Sequence, residues 1–111
     1  MQKHLMAALI ALAIAPSAQA ADLTTEKTPL TVSSVTSGLK HPWGMAFLPD
    51  GKVLVTARNG GMIVVDAQGN KSTPLAGLPD VDARGQGGLL DVALSPDFAI
   101  DNTIYFSFSE P

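Results

Sequence analysis

The chain has 111 residues, with seven basic and ten acidic side chains, a formal net charge of −3 and no cysteine. That length suits one small domain or part of a larger one. The weakly acidic balance offers no basic surface for nucleic acid or anionic lipid, and without disulfides the fold must be stabilised by burial.

Residues 1–20 have the layout of a secretory signal peptide. A short polar start containing Lys3 precedes an unbroken apolar run of 11 residues, Leu5–Ala15. Small residues then occupy Ala18 and Ala20, the two positions that a signal peptidase reads. The apolar run is well short of the roughly 20 residues that span a bilayer. We therefore predict cleavage after Ala20, a periplasmic or secreted location, and no membrane span after cleavage.

The remainder of the chain is predicted to be all-β. Residues 21–29 are polar and are expected to form an extended lead-in, and residues 30–111 are expected to be the N-terminal part of one larger domain. Apolar or β-branched runs alternate with Gly and Pro turns, and no segment keeps a helical apolar period over three turns. The predicted strands are Leu30–Thr36, Gly44–Leu48, Lys52–Ala57, Met62–Asp66, a weaker Lys71–Leu75, Leu89–Leu94 and Thr103–Phe108.

A gapless repeat with an offset of 47 residues runs through this domain. Met45–Asp50 (MAFLPD) aligns with Val92–Asp97 (VALSPD), and a β-rich run follows each Pro-Asp pair. Several short strands per copy are typical of propeller blades, which repeat every roughly 40–50 residues. The inner strands are nearly continuous apolar runs, as expected for strands covered on both faces. The sequence therefore predicts the first two blades of an incomplete β-propeller, with a small two-sheet sandwich as the alternative.

A glycine-rich stretch precedes the second inner strand, where Gly85, Gln86, Gly87 and Gly88 follow Arg84. In a propeller, the loop before an inner strand lies at the central channel. Glycines there let the backbone approach a bulky ligand closely, and the Gln86 amide has both a donor and an acceptor with which to orient it. The alternative is that the glycines only make a tight strand entry and Gln86 bonds to nearby backbone. Arg84 is interpreted as a solvated loop charge.

Three strings of this sequence resemble the soluble PQQ-dependent aldose sugar dehydrogenases, the glucose/sorbosone dehydrogenase family. They are GQGGLLDVAL at Gly85–Leu94, LKHPWGMAFLPDG at Leu39–Gly51 and GLPDV at Gly77–Val81. The resemblance runs from Val32 to Pro111, and it covers the N-terminal part of such a protein. It implies a six-bladed β-propeller, in agreement with the repeat.

The resemblance implies a quinoprotein that oxidises the C1 hydroxyl of aldose sugars to lactones. PQQ is the hydride acceptor, calcium holds and polarises it, and a separate electron acceptor reoxidises it. Gln86 matches the family glutamine of the substrate and cofactor pocket, with Gly85, Gly87 and Gly88 lining the same loop. The catalytic histidine, the calcium ligands and most PQQ contacts are expected beyond Pro111. We therefore predict that this chain alone is inactive.

Three residues outside the glycine-rich stretch complete the comparison with the family. His41 is expected to serve packing or a turn hydrogen bond and not catalysis. Ser95 replaces the histidine that many members have before Pro-Asp, and a structural role is expected for it. Arg58 follows Ala57 where many members have Glu-Arg, so an ion pair present in those members is expected to be missing.

Two other functional classes stay open. A metal-dependent lactonase on a similar propeller places an acidic ligand at the start of the first inner strand, where this chain has His41-Pro42-Trp43-Gly44. An exported, non-enzymatic propeller used for binding fits the Pro-Asp-Gly turns equally well, and only the glycine-rich loop argues against it. A further ~40–60 residues, about one blade, would discriminate, because the dehydrogenase needs a histidine near a strand entry there.

Overall fold

The computed structural model describes residues 20–111, so the predicted signal peptide lies outside the described residues. The chain divides into a short N-terminal unit that ends at Ser33 and a larger unit, Ser34–Pro111. No helix among the described residues is long and apolar enough to cross a membrane.

The N-terminal unit contains an antiparallel hairpin of strands β1 (Ala21–Leu23) and β2 (Leu30–Val32). The Thr31 hydroxyl donates to the Asp22 carboxylate across the pair at 2.7 Å. Part of the expected lead-in, residues 21–29, is therefore a strand. The predicted strand Leu30–Thr36 ends early at Val32, because β1 offers only three residues to pair with.

The first sheet of the larger unit has the order β3-β4-β5, with β3 at Pro42–Phe47, β4 at Val53–Ala57 and β5 at Gly61–Val65. All neighbouring strands are antiparallel, and tight glycine turns join them. These bounds match three predicted strands to within two residues at each end.

The predicted weaker fourth strand, Lys71–Leu75, runs beside β5 without forming a regular ladder. It keeps one bridge, between Val65 and Lys71, and two backbone hydrogen bonds of 2.8 Å, from the Ser72 amide to the Val64 carbonyl and from the Leu75 amide to the Met62 carbonyl. The Val64 amide donates to the Ser72 hydroxyl at 2.9 Å and not to a backbone carbonyl. Pro74 then offers no amide hydrogen to extend a ladder. The first sheet therefore has three strands and not the four of a complete blade.

The second sheet pairs β6 (Leu89–Leu94) with β7 (Ile104–Phe108) in antiparallel register. Strand β6 has the predicted bounds. The one-turn helix α1 (Phe98–Asp101) lies between the two strands and ends at Asn102 in the left-handed conformation. Such a short helix carries no sequence periodicity, which is why the apolar pattern gives no sign of it.

The two sheets share one architecture at the predicted offset of 47 residues. Strands β3 and β6 each carry a register shift, between Pro42 and Met45 in one and between Leu89 and Val92 in the other. Each residue of the first pair is equivalent to the corresponding residue of the second. A bulge at the same place in both copies confirms that the sequence repeat is a structural one.

The two Pro-Asp corners lie in equivalent settings. The Leu48 carbonyl accepts from the Gly51 amide at 3.0 Å, and the equivalent Ser95 carbonyl accepts from the Phe98 amide at 3.0 Å. The second corner then continues into the four residues of α1 before its next strand begins. The repeat therefore preserves the turn and lengthens only the connection.

The core lies between the two sheets. Leu54 and Met62 of the first sheet and Leu89 and Val92 of the second are at most 5% exposed and form one cluster. The partly buried residues around it are Ala46, Leu48, Val64, Leu78, Val81, Ile104, Phe106 and Phe108. The sheets therefore pack face to face, as repeat units do when neither can bury its apolar face alone.

Candidate functional site

The glycine-rich stretch forms a closed loop, Asp82–Gly88, at the entrance to β6. Both ends of the loop are bound by one residue at the end of β7. The Asp82 amide donates to the Ser109 carbonyl at 2.8 Å, and the Ser109 amide donates to the Gly88 carbonyl at 3.0 Å. The Gly87 amide donates to the Arg84 carbonyl at 2.9 Å, which closes a tight turn at the tip. Gly85 and Gln86 occupy the two central positions of that turn.

Arg58, at the end of β4, braces the loop from inside. Its Nη1 lies 3.0 Å from the carbonyl oxygens of Ala83, Gly85 and Gly87 and donates to them. A charged donor makes stronger hydrogen bonds than a neutral one, so a single guanidinium can fix three peptide groups of an irregular loop. Sequence reasoning treated Arg58 only as half of a missing ion pair and did not find this role.

The Arg58 backbone also connects the beginning of β3 with the beginning of β6. Its amide donates to the His41 carbonyl at 2.9 Å, and its carbonyl accepts from the Leu89 amide at 2.9 Å. His41 has a positive φ of 45° and is exposed. The His41 carbonyl thus takes part in a cross-strand hydrogen bond where β3 begins and β4 ends, and not in a turn hydrogen bond.

The glycines of the loop differ in what they contact. Gly88 has a φ of +130°, is buried, and a Cβ there would collide with the Arg58 carbonyl. A Cβ on Gly87 would collide with the Asp82 carbonyl, whereas Gly85, at φ +57°, has open space around it. The close approaches at Gly87 and Gly88 are thus to the protein's own backbone, as in the tight-strand-entry interpretation. Gly85 faces open space at the tip.

Gln86 is the exposed residue at the tip of the loop. Among the side-chain hydrogen bonds between described residues, none involves Gln86. The interpretation in which Gln86 bonds nearby backbone is therefore not what this part of the chain shows. The side-chain amide of Gln86 has both a donor and an acceptor, and neither is bonded to another described residue.

The charges beside Gln86 are paired. Arg84 is 87% exposed and forms a bidentate pair with Asp82, with Nε at 2.9 Å and Nη2 at 2.5 Å from carboxylate oxygens. This guanidinium lowers the pKa of Asp82 below its usual value, and the pair raises the pKa of Arg84. Arg84 is a solvated charge as interpreted from the sequence, with Asp82 as its partner.

Ser95 has the structural role expected of it. It is buried, its hydroxyl donates to the Asp101 carboxylate at 2.7 Å, and the same oxygen accepts from the Asp97 amide at 3.2 Å. The bond from Ser95 is the main cause that lowers the pKa of Asp101 below its usual value. Ser95 therefore closes the second Pro-Asp corner.

The tip of the Asp82–Gly88 loop offers a polar ligand one exposed hydrogen-bonding side chain. The tip offers the Gln86 amide, which fits hydrogen bonding to a carbonyl, carboxylate or hydroxyl group. Within residues 20–111, no group of three or more His, Asp or Glu side chains is arranged to hold a metal ion. The exposed Gln86 amide thus fits a contact to an organic cofactor or sugar.

Residues 39–111 match the sequence model of the family described as Glucose / Sorbosone dehydrogenase. Over 73 residues the chain is 53% identical to aldose sugar dehydrogenase YliI of Escherichia coli strain K12, which covers 65% of this chain and 20% of the relative. It is 42% identical over 83 residues to an uncharacterised protein of Synechocystis, covering 68% of this chain and 20% of that protein. The chain therefore spans about a fifth of the length of the curated relatives it matches.

Solved structures of similar proteins agree. The PQQ-bound form of an aldose sugar dehydrogenase from Streptomyces coelicolor superposes with a TM-score of 0.65 at 40% identity, covering 86% of this chain and 27% of that one. The apo-form of the soluble aldose sugar dehydrogenase from Escherichia coli gives 0.62 at 52% identity, over 65% and 21%. These neighbours are β-propeller dehydrogenases, so the two sheets are successive propeller blades, as the repeat predicted.

Proposed function

Because the chain belongs to the Glucose / Sorbosone dehydrogenase family, we propose that it supplies the first two blades of a quinoprotein that oxidises the C1 hydroxyl of aldoses to lactones. One observation supports the proposal above the others. The loop that resembles the family's pocket motif is braced by Arg58, and Gln86 is exposed at its tip with no side-chain hydrogen bond to another described residue.

The residues of this chain would bind and orient, and would not react. When bound, PQQ supplies the quinone that accepts two electrons, and a separate acceptor then takes them. Gln86 would hydrogen-bond a polar group of the cofactor or sugar, and Arg58 would keep the loop from yielding when the ligand enters. Calcium ligands and the histidine base are proposed to come from other segments, as the resemblance to the family implies.

The location and partners of the protein are part of the same proposal. Residues 1–20 would direct export to the periplasm or outside the cell, which suits oxidation of external sugars. The partners would be the aldose and the electron acceptor.

A chimera tests the function with this chain's own residues. Residues 39–111 would replace the matching segment of the Escherichia coli aldose sugar dehydrogenase, and PQQ-dependent aldose oxidation would be followed by dye reduction. We expect the chimera to be active. Gln86→Ala in the chimera should lower kcat/KM by about tenfold, the effect of one lost hydrogen bond to a bound ligand.

Two controls accompany this measurement. Gln68→Ala removes another exposed glutamine, from the turn that follows β5, and should leave kcat/KM unchanged. The 111-residue chain alone, with PQQ, calcium and an aldose, should reduce no dye above background. An inactive but folded chimera would contradict the proposal and favour the non-enzymatic binding propeller or the lactonase. Activity of the chain alone would contradict the proposal that its residues bind and orient the ligand while other segments supply the reacting groups.

A further inference from the structure

The two carbonyl groups that flank Gln86 share one hydrogen-bond donor. Among the hydrogen bonds between described residues, the carbonyls of Gly85 and Gly87 accept only from Arg58 Nη1, each at 3.0 Å. The other bonds of the loop close its base and its turn, and none of them is made to these two carbonyls. The described bonds to the backbone carbonyls on both sides of Gln86 therefore come from one guanidinium.

The repeat shows that the architecture of a blade does not require the Arg58 side chain. Because α1 adds four residues after the Pro-Asp corner, the residue equivalent to Arg58 in the second blade is Ser109. The Arg58 amide donates to the His41 carbonyl at 2.9 Å. In the second blade, the Ser109 amide donates at 3.0 Å to the carbonyl of Gly88, the residue equivalent to His41. A serine thus preserves the backbone bond of this position, and the long cationic side chain of Arg58 serves the loop rather than the blade.

Arg58 binds the loop from the other blade. It follows the last residue of β4, and the carbonyls that its Nη1 binds, from Ala83 to Gly87, are 25 to 29 residues further along the chain. Hydrogen bonds from a charged donor are stronger than neutral ones, so these bonds hold the loop in one shape before a ligand arrives. A polar group that is already held in its bound orientation binds more tightly, because less conformational freedom is lost on binding.

We propose that Arg58 is a positioning residue for the ligand that Gln86 binds. It keeps the Gln86 amide in the orientation in which it meets the ligand, and it acts through that amide. This role rests on the proposed function, in which the ligand is PQQ or the aldose. Both present oxygen atoms that hydrogen-bond an amide, so each needs its own measurement. Because Arg58 acts through Gln86, its substitution should have little effect once the amide is removed.

The test uses the chimera in which residues 39–111 replace the matching segment of the Escherichia coli aldose sugar dehydrogenase. Titration of the chimera with PQQ gives the dissociation constant of the cofactor, and dye reduction at saturating PQQ gives kcat/KM for the aldose. Arg58→Met keeps an apolar stem of the side chain and removes the guanidinium. It should impair, by about fivefold, whichever of the two quantities Gln86→Ala impairs, the first for a cofactor contact and the second for a sugar contact.

The double variant separates positioning from a general loss of structure. In the Gln86→Ala background, Arg58→Met should change the same quantity by less than about twofold, because the effects of residues that act as one unit are not additive. If Arg58 only stabilised the fold, its substitution would cost as much without the Gln86 amide as with it. Equal effects of Arg58→Met in the two backgrounds would therefore overturn the proposal.

Hydrogen exchange of the chimera without ligand follows the loop directly. Arg58→Met should speed the exchange of the amides in Asp82–Gly88 by about tenfold and leave those of β4 and β5 protected. Arg58→Lys, whose cationic nitrogen ends one bond nearer to the backbone, should show smaller effects on exchange and binding, and it keeps the test if Arg58→Met does not fold. An inactive chimera would contradict the proposed function, whereas loop exchange that Arg58→Met leaves unchanged would overturn the role of Arg58.

Lys52→Met is the matched control. Lys52 precedes the first residue of β4, at the opposite end of the strand from Arg58, and it pairs with the Asp50 carboxylate at 3.0 Å. Its substitution removes the same charge and should leave the PQQ dissociation constant, kcat/KM and loop exchange unchanged. An effect of Lys52→Met equal to that of Arg58→Met would show that the loss of a positive charge, and not of the loop contacts, is responsible, and it would overturn the proposal.

Discussion

At the scale of single residues, each residue type in and around the loop before β6 has a separate structural role. Arg58 supplies the charge that holds three carbonyl groups, Gly88 permits the approach of the Arg58 carbonyl, and Gly85 makes the turn at the tip. Among the described residues of this loop, Gln86 is the one whose polar side chain makes no hydrogen bond to another described residue. The pattern of three glycines around one glutamine therefore reflects two requirements, a packed base and an open tip.

Substitution of the two glycines separates these requirements. Gly88→Ala should destabilise the chain by at least about 3 kcal/mol, because φ is +130° and the added Cβ meets backbone that cannot move away. Gly85→Ala should cost about 1 kcal/mol, the penalty of the left-handed region in open space. Urea unfolding of both variants measures the difference, and equal costs would show that the base of the loop is not packed as described.

At the scale of the elements, each inner strand has a bulge, and a hydroxyl on the neighbouring strand compensates for the backbone hydrogen bond that the bulge removes. The bulge interrupts the ladder, and the hydroxyl of Thr56 or Ser107 accepts the amide that is left over. In the first blade, the buried Thr56 then bonds the neighbouring strand as well. A side chain on β4 thus fixes the distance between two inner strands that do not pair with each other.

Thr56→Val keeps the shape and removes this link. We expect a loss of about 1–3 kcal/mol in the free energy of unfolding, because the Gly44 amide and the Leu90 carbonyl lose a buried partner. Thr73→Val, at an exposed position after the first sheet, should change it little. Both free energies are measured by urea unfolding. A similar effect of the two substitutions would show that the Thr56 hydroxyl does not stabilise the packing of the two blades.

At the scale of the whole molecule, ionised aspartates hold the turns and corners. Hydrogen bonds lower the pKa of four carboxyl groups below the usual 3.8, mainly from Lys52 to Asp50, Asn70 to Asp66, Arg84 to Asp82 and Ser95 to Asp101. These carboxylates lie in the β3–β4 turn, in the turn after β5, in the site loop and in the connection between β6 and β7. The irregular segments of the fold therefore share one dependence on pH.

A lowered pKa in the folded state contributes stability that is fully present above the unfolded value of 3.8 and is lost as pH falls through the folded value. We expect the urea midpoint to stay level from pH 7 to about pH 5 and to fall below about pH 4. Asp101→Asn should make that fall shallower, because one of the four groups no longer titrates. A midpoint that stays level to about pH 2.5 would contradict this.

The sequence by itself determined the strands β3 to β7, the Pro-Asp corners and the 47-residue repeat, because alternating apolar runs and Pro-Asp-Gly corners act over a few neighbouring residues. It also located the loop that carries Gln86. Only the tertiary structure decided what braces that loop and what joins the blades. Arg58 lies 25 to 29 residues from the carbonyls it binds, and Thr56 lies 34 from Leu90. Such partners meet only after register and sheet packing are set, so no local pattern in the chain specifies them.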